Sequence, residues 1–170
     1  MKKFVSLILF LALTLSSVFF VSCGADTRNV AQLMNSDLRA EIVIKNGNGT
    51  ARATLTASAY GGDVARDASL DFSSPDSLRG LTVTREGGKL TATLDGLCVP
   101  FDGGAAFLGV AELFTVTEEI TSVKRCVLDG TDADLVNYGE VSLYVSKGGT
   151  PLFVTDGDVS VKILAFEALD

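Results

Sequence analysis

The chain offers three thiols, Cys23, Cys98 and Cys126, and no histidine at all among its 170 residues. A thiol becomes a nucleophile when a base draws off its proton, and imidazole is the usual base near neutral pH. Its absence removes the commonest general base and the commonest metal ligand together. Carboxylates gather at Asp129, Asp132 and Asp134 in DGTDADL and at Asp156 and Asp158 in TDGDV. A calcium loop of the EF-hand type needs a fixed ligand spacing and a closing glutamate, and neither stretch has them. Asp-Gly is what tight turns prefer, so both read as solvated turns. Glu118 and Glu119 follow an apolar segment and read as its solvated exit rather than as an acid and base pair. No Gly-x-Ser-x-Gly elbow, phosphate-binding loop or Gly-x-Gly-x-x-Gly occurs. The sequence therefore assigns no catalytic residue, no metal ligand and no cofactor.

Cys23 has surroundings of another kind. Met1, Lys2 and Lys3 give a positive start, and the 19 residues from Phe4 to Ser22 carry no charge. This is a secretory signal in outline. Phe20, Val21 and Ser22 run directly into Cys23 and Gly24, which resembles the lipobox of bacterial lipoproteins, with Phe20 where leucine is usual. The resemblance implies that the Cys23 thiol is acylated, that residues 1–22 are cut away, and that the protein is lipid-anchored on the extracytoplasmic face of the cell membrane. Two acyl chains give stable attachment where one does not. The competing reading is an uncleaved span, since a bilayer needs about 20 apolar residues. Either way the domain lies outside the cytoplasm and beside a membrane.

Without residues 1–22 the charge falls from −7 to −9, because two of the 14 Lys and Arg leave and all 21 Asp and Glu stay. An acidic surface without a basic cluster argues against nucleic acid and against attraction to anionic headgroups. In an exported compartment Cys98 and Cys126 can pair, closing a loop worth roughly 3–4 kcal/mol. The alternative is two small buried apolar side chains.

The patterning gives the elements that position these residues. Residues 23–36 read as the lipidated cysteine and a tether ending in a short helix, and 37–170 as one domain. Leu38, Ala40, Ile42 and Ile44 alternate with Arg39, Glu41 and Lys45, as a half-buried strand does. NGNG at 46–49 is a hairpin turn, and Ala51, Ala53, Leu55, Ala57 and Ala59 mark the return. Further strands are expected near 66–72, 80–86, 89–95, 123–128, 133–138, 140–146, 150–155 and 158–166. The exception is 100–120, where Phe107, Val110, Ala111 and Phe114 recur at helical spacing and Glu112 is the one charge between Gly103 and Thr115. A helix apolar nearly all round must be covered on most sides.

This order of elements, together with Phe72, Pro75, Leu78 and Gly80 in LDFSSPDSLRGLTV, resembles the lipoprotein-carrier family and its lipid-anchored relatives in single-membrane bacteria. The resemblance implies an α+β fold: a curved antiparallel sheet, or half-barrel, with one or two helices packed on its concave face. Two expectations follow. In the first, a lipid or lipoprotein acyl chain is held between Leu55, Leu81, Val83 and Leu94 of the sheet and Phe107, Val110 and Phe114 of the helix, which requires an elongated cavity. In the second, a non-catalytic tethered scaffold docks an exported protein partner, and the core is filled. The family's cavities are lined by large aromatics and closed by an arginine; this chain has no Trp, and Arg79 is not assignable to that role.

Overall fold

The computed structural model describes residues 26–62, 65–100 and 105–169, the side chains of 105–108 excepted. Its elements are α1 (Thr27–Asn35), β1 (Leu38–Asn46), β2 (Gly49–Ala57), β3 (Ala68–Ser74), β4 (Thr82–Glu86), β5 (Lys89–Leu94), β6 (Leu97–Pro100), α2 (Ala105–Leu113), β7 (Ile120–Leu128), β8 (Thr131–Tyr138), β9 (Val141–Ser146), β10 (Pro151–Thr155) and β11 (Ser160–Ala168). All strands join one antiparallel sheet in the order β6-β5-β4-β3-β2-β1-β11-β10-β9-β8-β7. The chain lays down β1 to β6 outward, passes through α2 to the far margin, and returns from β7 to β11. There β11 closes on β1, from Leu38 opposite Ala168 to Lys45 opposite Ser160. The sheet stays open, with β6 and β7 as its two margins. It is the curved half-barrel expected from the sequence.

Alternation decides which face is buried, because successive side chains leave a strand on opposite sides. Leu38, Ala40, Ile42 and Ile44 of β1 are buried, and so are Ala53, Leu55 and Ala57 of β2, Leu70 and Phe72 of β3, Val136 of β8, Leu143 and Val145 of β9, and Val161 of β11. Both helices cover this face. Asp26 caps α1, its carboxylate accepting from the Arg28 amide at 3.1 Å, and the helix buries Val30 and Met34. Full burial of such side chains contributes about 1.5–3 kcal/mol each. α2 lies against β3 and β4 and buries Val110, Ala111 and Leu113, with Phe114 following at 0 % exposure.

The short helix expected at the end of residues 23–36 is α1, and it packs on the core through Val30 and Met34. β6 was not foreseen: four residues hard against a turn leave no alternation to read. Of the two readings of Cys98 and Cys126, the pairing is not made. Both are free, because β6 and β7 stand at opposite margins of an eleven-stranded sheet. The alternative fails for Cys98, which is exposed, while Cys126 is partly buried. Cys23 and the whole of 1–22 lie outside the described residues.

Candidate functional site

The concave face gathers part of the expected ligand site. Leu55, Val83, Val110 and Phe114 are 0–2 % exposed and belong to one cluster, against which Leu81 packs partly buried. They fill the space between sheet and helix instead of lining a void. Leu94 stands apart at 43 % exposure. Phe107 sits on α2, and its side chain is among those not described.

Arg66, which pattern reading placed at the start of a strand, organises the covering helices. Its side chain is buried, at 2 % exposure. Nε donates to Ser58 O at 2.8 Å, Nη1 to Met34 O at 2.8 Å and to Phe114 O at 2.9 Å, and Nη2 to Ser36 O at 2.6 Å. One guanidinium thus ties the end of α1, the end of α2 and the loop after β2. Burial pushes its pKa down, and the charges of Asp37 and Glu112 oppose that shift. Taking a cation out of water costs several kcal/mol, and hydrogen bonds to charged groups, at about 1.5–3 kcal/mol each, offset it only as a set. The lone arginine of VARDAS carries no sequence signal for this role; Arg79, by contrast, is exposed and pairs with Asp76 at 2.6 Å.

Other ties hold the same end of α2. The Asn35 side-chain amide donates to Val116 O at 3.0 Å and accepts from Val116 N at 2.9 Å. Tyr138 Oη donates to Leu113 O at 2.7 Å, and burial pushes its phenol pKa above the ordinary value. Arg85 Nε donates to Arg66 O at 2.8 Å. Arg85 Nη2 lies 2.7 Å from Glu112 Oε1, an ion contact without the alignment of a hydrogen bond.

The apolar floor extends further than its cover. Val83 pairs with Ala92, and Ala92 with Val99. Paired residues share a face, so Ala92 and Val99 continue the face on which Val83 is buried. Leu94 and Leu97, two residues along and opposite each other, share that face too. Leu94, Leu97 and Val99 are 43, 70 and 48 % exposed. The margin beside β4 is therefore an uncovered apolar lane.

The remaining features are smaller. A crevice of about 380 Å³ opens between α1 and the β9–β10 turn, lined by Asp26, Asn29, Val30, Leu33, Lys147 and the glycines after it. A second, of about 410 Å³, lies at the β4–β5 turn. Neither is between the sheet and α2. Among the described residues no group of three or more Asp, Glu or Cys could hold a metal ion. Asp132 pairs with Lys147 at 2.6 Å, Asp129 with Lys162 at 3.1 Å, and Asp156 accepts from the amides of Asp158 and Val159 within its turn. The hydrogen bond from Lys147 holds the Asp132 carboxyl below its usual range. No described helix is long and apolar enough to cross a membrane.

No protein-family model matches the chain, and no curated protein does. Several solved structures resemble it at low identity. An uncharacterized conserved protein from Thermus thermophilus is 14 % identical, with a TM-score of 0.49 over 84 % of this chain and 85 % of that one. A LolA superfamily protein from Nitrosomonas europaea is 10 % identical, with a TM-score of 0.42 over 84 % and 91 %. LprF from Mycobacterium bovis is 10 % identical, with a TM-score of 0.44 over 86 % and 97 %.

Proposed function

We propose that the protein is a membrane-anchored extracytoplasmic lipoprotein, attached through Cys23, that binds a lipid or acyl chain on the concave face of its half-barrel. The observation that carries this reading is the uncovered lane of Leu94, Leu97 and Val99. An isolated exposed leucine means little, but a contiguous apolar strip beside a core helix is a place for an apolar ligand. An acyl chain lying there reaches Leu81 and Val83 when α2 swings away about the end held by Arg66. Leu55, Val110 and Phe114 then line its path. Catalysis plays no part in this reading.

Native mass spectrometry of the chain from Asp26 onward, which contains the whole described core, tests it when the protein is purified from its own host. A co-purifying lipid mass, lost in the Leu97→Asp/Val99→Asp variant, is expected. An empty protein that takes up neither phospholipid nor an acylated peptide overturns it. A second reading draws on the filled core of Leu55, Val83, Val110 and Phe114: a tethered scaffold on which an exported protein covers the same lane.

A further inference from the structure

The position of α1 bears on how the molecule sits at the membrane. Val30 and Met34 are 2 % and 0 % exposed, so the helix moves with the domain, and in the sequence only Gly24 and Ala25 separate Cys23 from the cap at Asp26. From Cys23 to Asp26 is three residue steps, at most about 11 Å. The crevice at Asp26 is walled on its other side by Lys147, Gly148 and Gly149, which places the α1 N-terminus beside the β9–β10 turn. The strand registers set the opposite end. Lys45 pairs with Ser160 and Ser160 with Thr155, so the β1–β2 and β10–β11 turns lie together. Thr82 pairs with both Asp71 and Thr93, and Leu94 with Leu97, which brings the β5–β6 turn at Asp95 to that same end. Nine-residue β1 separates the two ends by about 30 Å.

We propose that the end of the half-barrel formed by the α1 N-terminus and the turn at Lys147–Gly149 rests on the bilayer surface, with the turns at Asn48 and Asp95 pointing away from it. This rests on the anchoring of Cys23 put forward above. A domain pinned by a leash shorter than its own depth cannot invert. Charge does not draw this end to anionic lipid: Lys147 is already paired with Asp132, and Arg28 stands beside the capping Asp26. The consequence is that Leu97 opens at the end remote from the lipid surface, where an exported molecule can reach it.

The test uses the full-length lipidated protein in phosphatidylcholine vesicles containing a headgroup-attached nitroxide quencher. Single fluorescent labels at Lys147→Cys, Asn48→Cys and Asp95→Cys are introduced in a Cys98→Ser/Cys126→Ser background. Quenching several-fold stronger at position 147 than at 48 and 95 is expected, unchanged when a fifth of the lipid is phosphatidylglycerol. A ten-residue Gly-Ser insertion between Ala25 and Asp26 should bring the three labels close to equal. Equal quenching without the insertion, or the reverse order, overturns the orientation. The mass of the N-terminal peptide separates the two ideas. An acylated peptide with equal quenching removes the orientation alone, whereas a peptide without acyl mass removes the anchor and the orientation with it.

Discussion

The two margins of the sheet are built on different terms. β6 has four residues, every one of them exposed and none charged. β7 has nine, places Lys124 and Arg125 in solvent, shifts register between Ile120 and Ser122, and packs Ile120 and Val123 on the core. Charges and irregular register are how proteins discourage strand addition at an edge. β7 uses both, while β6 relies on brevity and Pro100 and leaves apolar side chains open. The chain enters β7 from the end of α2 that Arg66, Asn35 and Tyr138 hold, so one margin is secured and the other is available.

The strongest way to break that asymmetry is to release the secured side. Arg66→Met strips four carbonyls of their donor, and the midpoint of urea unfolding is expected to show a loss of at least about 3 kcal/mol. Val123→Asp puts a charge at the rim of the core beside β7; a loss of about 1–2 kcal/mol is expected in the same assay.

Tyr138→Phe should cost about 1 kcal/mol at pH 7 by orphaning Leu113 O. It also changes the pH profile. The folded phenol ionises at higher pH than the unfolded one, so the native state keeps a proton that the unfolded state gives up. Stability from Tyr138 is thus intact below about pH 10 and is lost as pH rises beyond it. Unfolding curves from pH 9 to 11 should be flatter for the phenylalanine variant. Leu97→Asp, on the open margin, is the smallest in stability, within about 0.5 kcal/mol of wild type, and sharpens the comparison because it should still abolish lipid uptake. Equal stability losses at Val123 and Leu97 would show that the margins do not differ.

Alternation and turn chemistry made most strands legible. The NGNG turn and the β1–β2 hairpin appear where the pattern placed them, and the later strands differ by a few residues at their ends. α2 falls within the apolar 103–115 stretch. What pattern reading cannot supply is lateral order: nothing in β7 says that it begins at the far margin, nor in β11 that it ends beside β1, since any antiparallel neighbour satisfies the same alternation. The candidate site was legible only as apolar positions. Leu55, Val83, Val110 and Phe114 do converge, but whether converging side chains line a space or fill it depends on shape. Arg66 was invisible because its partners are main-chain carbonyls from three separate segments, and carbonyls have no residue type.

The seam between β1 and β11 also has a meaning in time. Ala168 pairs with Leu38 across almost the whole chain, whereas each hairpin from β1 to β6 joins sequence neighbours. Contacts so far apart form late, after the intervening loop has lost its freedom. The first half can meander into a sheet as soon as it emerges, yet β1 keeps an unpaired edge until the last strand arrives. A chain shortened by ten residues loses the strand that joins its two halves. Its failure should be aggregation through the orphaned edge of β1, not a milder version of the native fold.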